Sequence, residues 1–513
     1  MTKQALPKKD KHRKAADEFF AGPVVHLEFT FKPEEWEFLK KDNRRYAEAT
    51  MTETAPDGTK TVYKKVAIKL KGAAGSFQGP DQKPGLTVNL DKFKGADRFH
   101  GMEKFHLNNG AQDGSLLNEF VGGEMCRAAN VPASRCTHVV VKWQGRDTGL
   151  YLFKESFTKD FLSYFYEENK GSLYDPHFIA EVDGNLEKQQ GADREDKSDL
   201  KALADACKEG DQKKKWQLVY ERLDVDEFLR FLAMETFLCH WDGYNFNRNN
   251  YRVYFDPKTG KANFFCHGMD QIYGDASWPV MRDPGGLVGQ AVWSNPDWKA
   301  HYRKLAEEIY TRVLKTRDWD EVIAMQGKKI MEGLDRLKEG KGKEYQGNIA
   351  AAQQRVANRV ASIGKQFGDM PKPFDWQGNI AKLGPKQWRN EGGGAVGEAV
   401  MDGQKCFHIR ANGSPASSWR RSVNLQPGRY RFEAQVKVAG VDGPGDSSGE
   451  GAGLRISGGT RTGVNGLKGS SQWQKVAYEF DSTGADVILV AELRSAKGEA
   501  WFQTDSFQIV KLR

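Results

Sequence analysis

His240-Trp241-Asp242-Gly243-Tyr244-Asn245-Phe246-Asn247 ends a helical pattern, and Gly268-Met269-Asp270-Gln271-Ile272-Tyr273-Gly274 follows after a short apolar segment. Between them Tyr251-Arg252-Val253-Tyr254-Phe255 and Ala262-Asn263-Phe264-Phe265-Cys266 bracket Asp256-Pro257-Lys258-Thr259-Gly260, the composition of two strands joined by a turn. A hairpin thus separates two Asp-bearing segments. Carboxylate and amide oxygens are hard donors that suit magnesium or manganese. Phosphoryl transfer needs little more than such ligands, a cation on the phosphates and a group that orients the acceptor hydroxyl. On this reading Asp242 and Asp270 are the acidic groups, and Asn247, five residues after Asp242, is an amide ligand.

The flanking segments set this pair in a fold. Asp224 with Glu227 fits a capping box, and Phe228, Phe231, Leu232, Glu235 and Leu238 give the next helix one mostly apolar face. His240 to Asn250 leaves that helix as a polar loop. A second reading of the loop needs no chemistry: Asp242 caps, Asn245, Asn247, Asn249 and Asn250 satisfy loop backbone, and His240 is a structural hydrogen-bonding residue. Upstream, Val24 to Phe31, Tyr63 to Leu70, Leu86 to Leu90, Lys104 to Asn109, Val139 to Trp143 and Thr148 to Lys154 read as strands, with helices opening at Pro33 and Asp113. Lys71-Gly72-Ala73-Ala74-Gly75-Ser76-Phe77, basic and glycine-rich after a strand, can approach phosphates through its backbone N–H groups. Residues 158–238 and Trp298 to Phe367 read as mainly helical, with Lys188 to Lys215 a charged, solvated helical face.

Composition limits the partners. At 513 residues several domains are expected, and 39% hydrophobic with 11% aromatic residues excludes global disorder. Lys and Arg (77) exceed Asp and Glu (69) by only 8, too thin an excess for nucleic acid as the main partner. The six cysteines form no CxxC pair, which argues for isolated buried thiols and against structural zinc. No run approaches the roughly 20 apolar residues of a membrane span. Met1 to Lys14 is basic and lacks the apolar core of a signal peptide, so residues 1–22 read as a flexible basic arm. The remaining boundaries are a strand-rich region with one embedded helix (23–157), a mainly helical region holding both Asp segments (158–370), a linker (371–384) and a β-sandwich (385–513). The sandwich rests on short alternating runs at Cys406 to Arg410, Arg429 to Lys437, Gln474 to Phe480, Asp486 to Arg494 and Trp501 to Val510.

A set of strings in order adds a family. They are Lys69-Leu70-Lys71-Gly72, Lys83-Pro84-Gly85-Leu86, Phe99-His100-Gly101-Met102-Glu103-Lys104-Phe105-His106-Leu107-Asn108-Asn109, Asp113, Asn130-Val131-Pro132-Ala133, Gly149-Leu150-Tyr151-Leu152-Phe153-Lys154-Glu155 and Asn250-Tyr251. From about Val24 to Gly274, and on to about Phe367, the chain resembles the CotH kinase family, named for a bacterial spore-coat protein. The spacing of Asp242, Asn247 and Asp270 is also that of protein-kinase loops, with His240 at their His position. The resemblance implies an α+β chain: an atypical protein-kinase-like two-lobed domain, small lobe 23–157 and large lobe 158–370, followed by an all-β jelly-roll-like sandwich. It implies transfer of the ATP γ-phosphate to Ser or Thr of protein substrates, spore-coat proteins among them, with ATP and magnesium or manganese as cofactors. The alternative is a pseudokinase, or a structural or surface-binding protein without turnover.

Carried over residue by residue, the resemblance makes Asp242 the catalytic-loop Asp and Asp270 the metal-binding Asp, with Asn247 or Asn250 as second metal ligand. Lys71 or Lys83 would contact phosphates, Glu119 would pair with that lysine, and Glu155 would meet the nucleotide at a hinge. The string Val66-Ala67-Ile68-Lys69 matches that of ordinary kinases, but Lys69 and Lys71 share a strand face, so it does not choose between them. The chain departs from the family at Gly268, where many members carry an additional Asp. The sandwich loosely resembles carbohydrate-binding modules of secreted proteins, with Trp388, Trp419, Trp473 and Trp501 as candidate sugar-stacking residues and a glycan as a further partner. Such a module favours an exported or cell-surface protein whose signal lies outside this chain; otherwise the protein is cytoplasmic.

Overall fold

Val25, Leu27 and Phe29 alternate with His26, Glu28 and Thr30, and this period of two buries one face of β1 (Val25–Thr30). The computed structural model describes residues 8–512 apart from 74, 95–96, 371–373, 375, 414–415, 443–449, 461–465 and 484–485. It divides into two units, Met1–Gly368 and Asp369–Arg513.

In the first unit α1 (Lys8–Ala21) precedes β1, and α2 (Pro33–Lys41), β2 (Ala47–Thr54), β3 (Lys60–Lys71), β4 (Gly85–Asn89), β5 (Lys104–Asn108), α3 (Asn118–Ala128), β6 (Cys136–Trp143) and β7 (Arg146–Glu155) follow. The strands close a barrel in the order β1-β2-β3-β4-β5-β7-β6, and the parallel pairing of β1 with β6 completes the circle. Inside it Phe29, Met51, Ile68, Val88, Phe105, Val139, Trp143 and Phe153 form one apolar core. The outward positions of β3, β4, β5 and β7 are polar: Lys69 pairs with Thr87, Thr87 with His106, and His106 with Lys154, so one row crosses four strands.

The expected flexible arm is in part a helix. Ala16, Phe19 and Phe20 lie on one face of α1, and Phe19 packs on Phe99, His100 and Phe153 of the barrel. Asp17 is fixed by Arg135 at 2.6 Å and by the Tyr164 hydroxyl at 2.9 Å. Residues 1–7 lie outside the described residues. The helix expected from Asp113 begins instead at Asn118, because Asp113 accepts from the Ser115 and Asn118 backbone N–H groups and folds the preceding residues into a turn.

The rest of this unit comprises α4 (Lys159–Phe165), β8 (Leu173–Asp175), β9 (Glu187–Gln190), α5 (Ser198–Lys208), α6 (Gln212–Arg222), α7 (Val225–Phe237), the single turn α8 (Tyr244–Asn247), and the hairpin β10 (Tyr251–Phe255) and β11 (Ala262–Cys266). A 3-10 turn (Met269–Gln271), α9 (Leu287–Trp293), α10 (Pro296–Ile309), α11 (Trp319–Leu337), α12 (Lys341–Glu344) and α13 (Gln346–Asp369) complete it. The stretch expected to be one charged helical face instead starts with β9, which pairs with β8 in the sheet β11-β10-β8-β9. Asp224 caps α7 by accepting from the Glu227 N–H at 3.1 Å. At the other end of α7, buried Arg359 of α13 donates to the carbonyls of Thr236, Phe237, Ala276 and Trp278. One guanidinium thus fixes where the loop after α7 starts and where the segment after Asp270 runs.

The second unit is a sandwich of β12 (Ile380–Lys382), β13 (Arg389–Gly392), β14 (Ala395–Met401), β15 (Gln404–Arg410), β16 (Ser417–Asn424), β17 (Gly428–Ala439), β18 (Gly451–Ile456), β19 (Gln474–Ser482), β20 (Asp486–Arg494), β21 (Glu499–Gln503) and β22 (Gln508–Lys511). One sheet runs β12-β22-β17-β21-β15-β14 with β19 also on β17, and the other β13-β16-β20-β18. The segment expected to be a linker, 371–384, contributes β12 to this sandwich, and Leu383 is in its core. Hydrophobic alternation there was too short to register as a strand.

Candidate functional site

The loop that follows α7 is shaped by a buried carboxylate. Glu235 is fully buried and accepts from the Tyr244 N–H (2.8 Å), the Asn245 N–H (3.0 Å) and the Asn245 side-chain amide (2.7 Å). Burial pushes its pKa up to about 7. This clamp turns the chain so that Asp242 faces the asparagines that come after it. Asn247 donates its amide to Asp242 Oδ1 at 2.6 Å, and Asn250 and Asn249 donate to Oδ2 at 2.7 and 3.1 Å. Asn249 spends its oxygen as well, on the Ile179 N–H at 3.2 Å.

The second segment lies against α3. Asn118 donates to the Asp270 carbonyl at 2.7 Å, and Gly122 has no side chain where a Cβ would press on Ile272 and Met269. Gly268 is left-handed (φ 54°), and a Cβ on it would clash with Asn250 Oδ1. The Asn250 side chain therefore sits between Asp242, which accepts from its amide nitrogen, and Gly268, against which its oxygen packs. Burial, then the charge of Glu119, raises the Asp270 carboxyl to about 6, against the pull of Lys154 and Lys71.

A chain of polar contacts connects the barrel wall to both segments. Lys71 donates to Asn108 Oδ1, and Asn108 donates to Glu119 Oε2 at 2.7 Å. Glu119 is ion-paired through its other oxygen with Lys154, and both are almost fully buried. Lys154 also donates to His267 Nδ1 at 2.8 Å, and the His267 carbonyl accepts from His240 Nε2 at 2.9 Å. Lys71 reaches Asn108 because its β4 partner is Gly85, where a Cβ would meet Lys71 Cγ at 3.3 Å. Cations crowd this wall. Burial and then the charge of Lys154 lower Lys71 to about 8, while burial followed by Lys69 and Arg252 lowers Lys104. Burial and neighbouring cations thus both work against the charge of Lys71 and Lys104.

The profile of the family described as CotH kinase protein matches residues 68–361, more than half of the chain. The chain belongs to this family. It is 25% identical over 259 residues to the invasin CotH2 of Rhizopus delemar, covering 43% of this chain and 42% of that protein. It is 25% identical over 197 residues to the inner spore coat protein H of Bacillus subtilis, covering 34% of this chain and 51% of that protein. The chain thus spans about half the length of these curated relatives. Among solved structures, the CBM22-1 xylan-binding domain of Paenibacillus barcinonensis Xyn10C is 16% identical, with 25% of this chain and 88% of that one covered and a TM-score of 0.18. The C-terminal CBM6 of LamC from Zobellia galactanivorans is 15% identical, with 26% and 100% covered and a TM-score of 0.18.

Within this CotH chain the structure sorts the residues expected at the site. Asp242, Asn247 and Asn250 come together, while Asp270 follows the Gly268 turn that packs on Asn250 and feels the charges of Glu119, Lys154 and Lys71. Lys83 does not join them: its ammonium lies 4.9 Å from the Tyr151 ring centre, and burial alone lowers it to about 8. Glu119 pairs with Lys154 instead of Lys71 or Lys83. The Glu155 carboxylate is ion-paired with Arg135, which donates to it at 2.9 and 2.7 Å. His240, expected to be catalytic, is buried, donates to backbone, and is lowered by burial to about 4; it tethers the two segments as a neutral ring. Among the described residues no cluster of three or more His, Cys, Asp and Glu gathers to hold a metal. Any cation here would depend on Asp270 together with amide oxygens.

Sequence reasoning missed Asn108, Lys154 and His267. Lys154 carried a signal: it follows Leu150-Tyr151-Leu152-Phe153 in a strand, and a lysine buried in such a run needs a carboxylate partner. In the sandwich two candidate sugar platforms, Trp419 and Trp501, are buried, and Trp388 is half-buried against the core. Trp419 stacks on Phe407 at 4.2 Å, Trp388 packs on Phe507 at 4.6 Å, and Trp501 stacks on His408 at 5.1 Å and is 7% exposed. Trp473 is half-buried, with its indole N–H on Asp402 at 3.0 Å. The six cysteines are free and buried. No helix of the described residues is long and apolar enough to cross a membrane.

Proposed function

We propose that this CotH protein is a magnesium-dependent protein kinase that transfers the γ-phosphate of ATP to Ser or Thr of a protein substrate. The observation that carries this reading is the unbroken chain Lys71–Asn108–Glu119–Lys154–His267–His240, whose His267 N–H donates to the Asn250 carbonyl beside Asp242 and whose Lys71 and Lys154 charges act on Asp270. The donor types fit the ion: the Asp270 carboxylate with the side-chain oxygens of Asn247 and Asn250 would make an all-oxygen site of the kind magnesium and manganese take. A bound magnesium ion would supply charge neutralisation of the phosphates. Lys71 would add a cation on the same oxygens, with Glu119 and Lys154 holding Asn108 and hence Lys71 in place. Asp242, fixed by three amides, would orient the acceptor hydroxyl and take up its proton.

Gly268 favours a second reading, nucleotide binding without turnover, because the position where many family members carry a carboxylate is closed to one by Asn250. One experiment separates the two. Incubation with radiolabelled ATP and magnesium should label the protein or a Ser/Thr-rich substrate, and Asp242→Ala and Asp270→Ala should each abolish labelling. Calorimetric binding of magnesium-ATP with no labelling would favour the second reading; undiminished labelling by both variants would sink the site assignment. The names of the relatives, an invasin and a spore coat protein, support a location at a surface. Glycan binding by the C-terminal unit rests on the half-buried Trp388 and Trp473, and a Trp388→Ala/Trp473→Ala chain that migrates as the wild type does through glycan-containing gels would remove it.

A further inference from the structure

Loop 175–181 lies directly beside the candidate catalytic loop. It presents two large apolar side chains to solvent, Phe178 (53% exposed) and Ile179 (45%), and Trp241, next to Asp242 in the chain, is 44% exposed as well. Exposed apolar residues scattered singly mean little, but these are held by a backbone that works against them. His177 and Ile179 have φ of 59° and 37°. A β-branched residue at positive φ is a true outlier, and such strain persists only where surrounding contacts impose it. Here they do. The Ile179 N–H is held by Asn249, the Ala180 N–H by the Arg248 carbonyl at 3.0 Å, the Ala180 carbonyl by the Tyr251 hydroxyl at 2.8 Å, and the His177 N–H by Asp175 at 2.8 Å. Glu181 accepts from the Tyr244 hydroxyl at 2.7 Å and the Leu287 N–H at 2.8 Å. All but the Asp175 and Leu287 contacts come from residues 244–251, the loop that also shapes Asp242.

Asn249 is the key link. Its amide nitrogen is on Asp242 Oδ2 and its oxygen on the Ile179 N–H, so a single side chain separates the candidate acceptor-orienting carboxylate from the strained apolar pair. We propose that Phe178 and Ile179 form the acceptor-docking edge of the site, and that they select protein segments with a large apolar residue beside the phosphorylated Ser or Thr. This rests on the kinase reading for its acceptor hydroxyl. The occupant follows from continuity with Asp242: Asn249 touches both Asp242 and the Ile179 backbone, so the exposed pair adjoins the place of the acceptor hydroxyl and is open to the residues that flank it.

The test uses the full chain and two fluorescent peptides identical except at the residues flanking a central Ser, Leu on both sides in one and Asn on both sides in the other. The Leu peptide should bind roughly tenfold or more tightly than the Asn peptide by anisotropy, the worth of one buried apolar side chain. Phe178→Asn/Ile179→Asn should erase that preference while leaving magnesium-ATP binding by calorimetry unchanged. Asn tolerates positive φ, so the variant should fold and melt at or above the wild-type temperature. Equal binding of both peptides by the wild type overturns the proposal, as does a preference that survives in the variant. Concentration-dependent dimerisation abolished by the variant overturns it too, since a second copy would then be the occupant. Loss of ATP binding in the wild type would fail the kinase reading, while the peptide preference would still decide the docking edge.

Discussion

Asp242 and Asp270 lie on either side of Asn250 in the chain and differ in what surrounds their carboxylates. Asp242 is only half-buried and its two oxygens accept three amide hydrogen bonds, so it is oriented before any ligand arrives. Asp270 is half-buried as well, but it has Glu119 as a like-charged neighbour, and burial with that charge raises it to about 6. One carboxylate is satisfied by the protein; the other is costly to ionise until a cation joins it. On the proposed function that difference gives orientation to the first and ion capture to the second, and the division can be broken at several points.

The largest effect belongs to the pair itself. Asp242→Asn should leave magnesium-ATP binding intact and lower the transfer rate by about 10²–10⁴, the range for loss of a positioned general base. Asp270→Asn should lose magnesium-dependent nucleotide binding in calorimetry. If the two variants behave alike in both assays, the division of roles is wrong.

Next in size is Lys154→Met, which leaves Glu119 buried without its partner. Breaking a buried pair on one side costs about 3–5 kcal/mol, to be read as a lowered denaturant midpoint of the first unit. The double change Lys154→Met/Glu119→Leu should recover most of that stability. A single variant as stable as wild type would mean that the ion pair is not the keystone of the polar chain.

Lys154 also marks where the sequence was legible and where it was not. Strand alternation foreshadowed most of the barrel, and the turn residues Asp256 to Gly260 announced the hairpin between the two Asp segments. The convergence of Asp242 with Asn247 and Asn250 was readable because all three lie within nine residues. Pairings across the fold were not. Which lysine meets Glu119 depends on the register of β5 with β7 and on the absence of a side chain at Gly85, and neither leaves a mark in local spacing. The same holds for α1, whose charge pattern suggested a solvated arm while two of its residues were contributing to the barrel core.

Gly268→Ala tests the packing of Asn250 on Gly268 at smaller cost. A left-handed φ and the clash with Asn250 together should cost about 1–3 kcal/mol. Shortening the neighbour in Gly268→Ala/Asn250→Gly should relieve the clash yet weaken magnesium-nucleotide binding, because the Asn250 amide is gone. Full nucleotide affinity in that double variant would show that Asn250 serves only the loop.

The smallest effect is a pH dependence that Asp242 should not share. Asp270 is ionised above about pH 6 and protonated below it, and only the ionised form can hold a cation. Affinity for magnesium-nucleotide, corrected for the nucleotide's own protonation, should therefore fall about tenfold for each pH unit below that value. The neighbours give the direction of two further shifts. Glu119 raises Asp270, so Glu119→Gln should move the midpoint down; Lys71 lowers it, so Lys71→Met should move the midpoint up. Asp242→Asn should leave it in place. A midpoint that ignores both neighbours but follows Asp242 would reverse the assignment, making the amide-bound carboxylate the one that captures the ion.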